Sequence, residues 1–217
     1  PTQQFSGQVS AGYASDGEVR VSAAVAGPLG DTAGFRISGF YTDQNGYITN
    51  LTTGQEINDE ESKGLRGKLK FDLSDNFELA LSADWSETKT RGNASTFLSV
   101  PAGSLLFGAV PVDLTGITPG NYNRNVRLSD APASTSKQHS FGARAVLDLG
   151  FADLVSITSY QKWDYLITED VDLLAVSPTT SGFGVIQGGP YASKLFSQEL
   201  RLVSTGEGPL SYIVGGY

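Results

Sequence analysis

Apolar and polar side chains alternate with a period of two along most of this sequence, and that period is the one a β-strand imposes, because successive side chains point to opposite faces. Between Leu65 and Leu73 the odd positions are Leu65, Gly67, Leu69, Phe71 and Leu73, and the even ones are Arg66, Lys68, Lys70 and Asp72. One face is apolar and the other charged. After Ser74, Asp75 and Asn76 the alternation resumes, with Phe77, Leu79, Leu81, Ala83 and Trp85 on one side and Glu78, Ala80, Ser82 and Asp84 on the other. The two runs read as a hairpin with a three-residue connection. Pairing Leu73 with Phe77 would set Arg66 opposite Asp84 as a cross-strand ion pair.

Seven more segments carry the same signal. Phe5, Val9, Ala11 and Tyr13 mark a first strand, Val19, Val21, Ala23 and Val25 a second, and Phe35, Ile37, Gly39 and Tyr41 a third. Farther on, Phe141, Ala143, Ala145, Leu147 and Leu149 alternate with Arg144 and Asp148. Val155, Ile157, Trp163, Tyr165 and Ile167 mark a longer strand whose pattern is less clean, since Leu154, Tyr160 and Leu166 fall on the opposite parity. Phe196, Gln198, Leu200 and Leu202 form the eighth, and Tyr212 and Val214 open a ninth.

The connections alternate as well. Gly27 to Asp31, Ser74 to Asn76, Gly150 to Ala152 and Thr205 to Pro209 are short and rich in turn residues. Tyr47 to Glu61, Arg91 to Lys137 and Val171 to Ala192 are long, polar or glycine-rich, and only the first outer connection, near Ser15 to Gly17, is short. Tight turns at one end and long loops at the other are the pattern of an outer-membrane barrel. A soluble β-sandwich also alternates. Against it stand strands of ten or more residues and the placing of Tyr13, Tyr41, Trp85 and Trp163 near the loop-proximal strand ends, which suits an interfacial girdle. The reading is therefore all-β, an antiparallel up-and-down transmembrane β-barrel with about nine strands in a single unit over residues 1–217. Leu69, Phe71, Leu79, Leu81, Phe141 and Leu147 are expected to face lipid, and Arg66, Lys68, Asp84 and Arg144 the lumen.

Composition removes other classes. The longest uncharged stretch, Gly92 to Val112, is interrupted as a spanning helix by Pro101, Gly103, Gly108 and Pro111. A net charge of -8 disfavours a nucleic-acid partner. With Cys 0 and Met 0 the chain reads as an internal segment without a disulfide framework. A lone histidine, His139, leaves no ligand set for a metal and no catalytic triad. Glu56, Asp59, Glu60 and Glu61 lack the spacing of a calcium loop, and Gly182-Phe-Gly184-Val-Ile-Gln-Gly188 lacks the third glycine of a dinucleotide fingerprint. Asn50-Leu-Thr52 and Asn93-Ala-Ser95 match glycosylation acceptors by chance. No cofactor and no enzymatic activity are expected.

The run Gly39-Phe-Tyr-Thr-Asp-Gln-Asn-Gly-Tyr-Ile-Thr-Asn50, then Leu65-Arg-Gly-Lys-Leu-Lys-Phe71, Leu79-Ala-Leu-Ser-Ala-Asp-Trp85 and Phe196-Ser-Gln-Glu-Leu-Arg-Leu202, taken in this order, resembles the start of the barrel in TonB-dependent receptors. The resemblance spans essentially the whole chain. It implies roughly the first nine strands of a barrel of about 22, with the plug and the TonB-contacting segment lying outside this sequence. It further implies a bacterial outer-membrane location, with lipid, the TonB complex through the plug, and a small nutrient (an iron chelate such as a siderophore, cobalamin or an oligosaccharide) as partners. A porin-like barrel or a cell-surface β-domain, acting in passive diffusion or adhesion, is the alternative. Because long loops can adapt around a ligand whereas tight turns cannot, Tyr122, Arg124, Arg127 and Phe183 are the candidate ligand contacts.

Overall fold

A computed structural model describes residues 4–92, 94–106, 110–130, 132–172, 174–175, 184–205 and 210–217. Among them are fourteen strands and no helix. Nine form one antiparallel sheet with neighbours in sequential order: β1 (Ser6–Tyr13), β2 (Val19–Pro28), β3 (Ala33–Gln44), β6 (Asp59–Ser74), β7 (Phe77–Arg91), β11 (Ala133–Asp148), β12 (Ala152–Asp170), β13 (Ile186–Ser204) and β14 (Ile213–Gly216). The sheet is open, with β1 and β14 at its edges. The nine expected strands are these nine.

Five short strands lie inside the long connections. β4 (Ile48–Asn50) and β5 (Gln55–Ile57) form a hairpin, β10 (Asn125–Val126) adds to β4 in parallel, and β8 (Leu105–Leu106) pairs with β9 (Val110–Pro111). The segments expected as loops are accordingly shorter and more structured than alternation suggested. β6 begins at Asp59, β11 at Ala133 and β13 at Ile186, because polar strand ends continue the hydrogen-bonded ladder after the apolar pattern has stopped.

At the opposite end the turns are tight. The β6–β7 connection differs in detail from expectation: Asp72 pairs with Glu78 and Ser74 with Phe77, so Leu73 is bulged out and only Asp75 and Asn76 make the turn. The bulge leaves the rest of the register intact, and Arg66 stands opposite Asp84. Gly30 and Gly150 take positive φ at the other two described turns, 102° and 85°, where a side chain would be strained.

Register assigns every strand residue to a face, since partners in an antiparallel pair share one. One face carries Ile37, Leu69, Leu81, Phe141, Tyr160 and Phe196; the other carries Arg36, Arg66, Lys68, Asp84, Arg144 and Arg201. Strand β12 overturns one expectation. Phe141 pairs with Tyr160, which puts Leu154, Tyr160 and Leu166 on the apolar face and Val155, Ile157, Trp163, Tyr165 and Ile167 on the polar one. Trp163 is therefore not a member of an outer girdle. Its parity on β12 is decided by the neighbour it pairs with, a long-range fact that alternation within one strand does not contain.

Following cross-strand partners along the apolar face gives an oblique boundary. One row reads Tyr13, Val19, then Asp43, Glu61 and Lys89. The next reads Ala11, Val21, Tyr41, then Lys63, Glu87, Lys137 and Asp164. The third reads Leu65, Trp85, then His139, Lys162 and Lys194. The fourth stays uncharged through Ile37, Gly67, Ala83, Phe141, Tyr160 and Phe196. Tyr13, Tyr41, Trp85 and Tyr160 thus form a staircase with apolar residues on one side and charges on the other. A level water boundary crosses tilted strands in such steps. The large apolar side chains on this face are exposed, among them Leu65, Phe141 and Phe196 at 59%, 55% and 64%.

Candidate ligand-recognition site

The loop-side end of the sheet carries its own small core. Ile48, Ile57, Val126 and Leu128 are buried together, with Ala94 packed against them, so the β4–β5 hairpin and parts of the connection between β7 and β11 form one packed body. Two asparagines lock it. Asn50, fully buried, donates from Nδ2 to the carbonyl of Leu128 at 3.1 Å, and its Oδ1 accepts from the amides of Leu128 at 3.1 Å and Thr52 at 3.0 Å. Asn58 holds Ala94 in the same two-way manner, at 3.1 and 3.3 Å, and does so with φ at 65°, a conformation asparagine tolerates better than most residues. Gly46 admits the close crossing, for a Cβ there would lie 2.7 Å from the backbone of Glu56 and Ile57.

Three of the four expected contacts sit on this body. Tyr122 is 96% exposed. Arg124 reaches Asp16 in the β1–β2 turn, Nη1 to Oδ1 at 3.6 Å, and its carbonyl accepts from Thr49 at 2.8 Å. Arg127 donates from Nε to the carbonyl of Thr115 at 2.8 Å and lies 3.7 Å from Asp113 Oδ2. Phe183 lies outside the described residues. The Asp113 carboxyl titrates below the usual carboxylate range, held there first by the Thr115 side chain, then by the Thr115 amide, and less by Arg127, while desolvation opposes the shift.

A second candidate is an aromatic ledge on β12 and β13, whose Trp163 and Tyr165 the strand pattern grouped with the apolar residues. Trp163 and Tyr165 stack at 5.3 Å with planes 12° apart, and Tyr191 lies 6.3 Å from Tyr165. Trp163 donates from Nε1 to Ser136 Oγ at 2.8 Å, which fixes the ring. All three share the polar face with Arg66 and Asp84, toward its loop-side end. The signal that could have found them is the parity conflict on β12 itself. Leu154, Tyr160 and Leu166 claim the apolar face at the pairing with Phe141, and the remaining aromatics are then left for the other side.

Three of the four residues of the acidic run, Asp59, Glu60 and Glu61, are engaged by neighbours. Asp59 binds Arg91 with Oδ2 2.5 Å from Nη2, Glu61 binds Lys63 at 3.0 Å, and Glu60 accepts from Ser62 at 3.0 Å. Among the described residues no group of three or more His, Cys, Asp or Glu is arranged to hold a metal. The site presents aromatic faces, guanidinium groups and peptide edges, a set suited to gripping a ligand.

No protein-family model and no curated protein matches the sequence. Solved structures do match in fold. Over 99% of its length the chain is similar to the ferric yersiniabactin uptake receptor FyuA from Yersinia pestis, with a TM-score of 0.75 and 17% identity, and spans 30% of that chain. It is similar over the same share to the siderophore receptor PiuA from Acinetobacter baumannii, TM-score 0.68 and 14% identity, spanning 30% of it. It also resembles the ferric-catecholate import receptor Fiu from E. coli K12, with a TM-score of 0.67, 14% identity and 33% of that chain covered. The chain thus spans about a third of the receptors it matches. Its fold is that of part of the β-barrel wall of TonB-dependent siderophore receptors.

Proposed function

We propose that this chain forms part of the wall of a bacterial outer-membrane receptor that imports a small nutrient ligand, an iron chelate by class, with energy delivered through TonB. The observation that carries the reading is the pairing of two opposite features on one sheet. One face has an apolar belt bounded by the Tyr13, Tyr41, Trp85 and Tyr160 staircase, as a lipid-facing wall requires. The other carries charged ladders and the Trp163, Tyr165 and Tyr191 ledge toward its loop-side end. Ferric siderophores are bulky and often aromatic or anionic, so stacked rings and guanidinium groups on the loop side suit their recognition. Tyr122, Arg124, Arg127, Trp163, Tyr165 and Tyr191 are the proposed ligand contacts.

The test is uptake of radiolabelled ferric chelates by cells expressing the full-length receptor, with and without TonB, before and after deletion of Gly92 to Asp130, which spares strand β11. Ligand-specific, TonB-dependent uptake that falls on deletion is the expected result, provided the truncated protein still inserts in the outer membrane. Uptake that persists without TonB would instead make the protein a passive porin-like barrel.

A further inference from the structure

On the apolar face, immediately beyond the aromatic staircase, Lys162 of β12 and Lys194 of β13 stand directly opposite each other. Like charges placed so repel and weaken the strand pair. Their neighbours relieve this only in part. Lys162 pairs with Asp164, Nζ to Oδ2 at 2.6 Å, while Lys194 is exposed and makes no hydrogen bond or ion pair among the described residues. His139 completes the row beside Lys162, and Lys137 lies one row farther out, opposite Asp164. Glu87, opposite Lys137 on the neighbouring strand, is already shared by Lys63, Lys89 and Lys137 at 3.9, 3.3 and 3.8 Å. Directly below the pair, Tyr160 and Phe196 face each other across the same two strands and are the last apolar step before the charges.

We infer that Lys162 and Lys194, with Lys137 beside them, bind the phosphate group of a lipid headgroup in the outer leaflet while Tyr160 and Phe196 rest on its acyl region. The inference rests on the reading of this sheet as a membrane-spanning wall. Three arguments select this occupant. The lysines point outward, away from the face that carries the ligand ledge. Their height is set by the aromatic boundary, where headgroups lie. Their excess charge is positive, although the chain as a whole is at -8, and so complements a phosphate. A lysine pair of this kind also suits a lipid better than a bridging protein, since long aliphatic stems can lie along acyl chains while the ammonium groups reach the headgroup.

The experiment uses the full-length receptor purified from outer membranes in a neutral detergent, with lipid A bisphosphate as probe and native mass spectrometry as readout. The wild type should retain the lipid, and the Lys162→Gln/Lys194→Gln variant should bind it roughly tenfold or more weakly, from the loss of two charges near the surface. A Lys162→Arg/Lys194→Arg variant should bind like the wild type, and dephosphorylated lipid A should bind poorly to all. Lys194→Gln alone disturbs no ion pair and serves if the double variant folds poorly; a several-fold loss is expected of it. Equal binding by wild type and glutamine variants, equal binding of dephosphorylated lipid, or inorganic phosphate binding as tightly as the lipid would each overturn the headgroup site. If the receptor inserts in the outer membrane and imports its chelate while failing these tests, only this inference falls. If it does not partition to the outer membrane, the membrane reading falls with it.

Discussion

Arg66 on β6 and Asp84 on β7 stand directly opposite each other on the polar face and are joined as an ion pair. Two unlike arrangements follow it on the same face. Below it Lys70, Glu78 and Arg144 share charge across three strands, with Glu78 2.6 Å from Lys70 and 3.4 Å from Arg144. Between them Arg36 and Lys68 oppose each other as like charges with no ion pair among the described residues. Because Arg66 is well exposed, at 59% of its side chain, its pair with Asp84 is worth at most about 1 kcal/mol. Its larger effect is to penalise a slip in register, which would set Arg66 against a residue of the apolar set.

The two faces make the first prediction. Leu69 sits mid-belt between Leu65 and Phe71, and Leu69→Arg should destabilise the full-length barrel by roughly 2–4 kcal/mol in bilayers. Ser82→Arg, on the other face of the neighbouring strand, should change stability by less than about 1 kcal/mol. Urea titration of the refolded receptor in vesicles reads both values. Similar costs at the two positions would contradict the facing.

The buried Asn50 makes the second. Asn50→Ala strips partners from the amide and carbonyl of Leu128 and from the Thr52 amide, and each buried group left unsatisfied costs about 1–3 kcal/mol. Faster amide exchange is expected across β4, β5 and β10, with β6, β7 and β11 unaffected, because the loop core is separate from the sheet. Asn50→Asp should fall between, since it keeps the acceptor and loses the donor. Exchange that rises equally in the long strands would show that the loop body is not an independent unit.

Acid provides the third. The Asp113 pKa is depressed in the folded protein, so the stability it lends is full above the unfolded carboxylate value of about 3.9 and is lost as pH falls through the lower folded value. The Thr115 amide and the Arg127 side chain should therefore loosen only in strong acid. Monitoring the Thr115 amide by hydrogen exchange across an acid titration checks this. Asp113→Asn should remove the transition, and a transition unchanged in that variant would assign it to another group.

The aromatic ledge provides the fourth. Trp163→Ala should weaken chelate binding to the full-length receptor by roughly tenfold or more, as loss of a buried aromatic anchor does. Tyr160→Ala, three residues away on the opposite face, should leave binding unchanged. Fluorescence quenching titrations of the two variants separate the outcomes, and equal effects would mean that the ledge does not touch the ligand.

Local pattern was enough for the class of fold and for most of its strands. Nine alternating segments correspond to the nine strands of the main sheet, and the order of tight and long connections follows from them. Side-chain alternation is a property of each strand alone, so a single sequence displays it. The pairing of Arg66 with Asp84 was legible for the same reason, as a short turn transmits register across a hairpin.

The rest depended on contacts between residues distant in sequence. Strand β12 carries apolar residues at both parities, and only its pairing with β11, Phe141 opposite Tyr160, decides that Trp163 and Tyr165 join the polar face. The small sheet of β10, β4 and β5 joins segments some 75 residues apart through short strands with no alternation to read. Asn50 looked like a chance glycosylation acceptor because its partner, Leu128, is brought to it only by the fold. The oblique aromatic boundary, and with it the placing of Lys162 beside Lys194, belongs to no strand. It emerges when registers are carried across the whole sheet, where hydrogen-bond geometry and not local composition determines which side chains become neighbours.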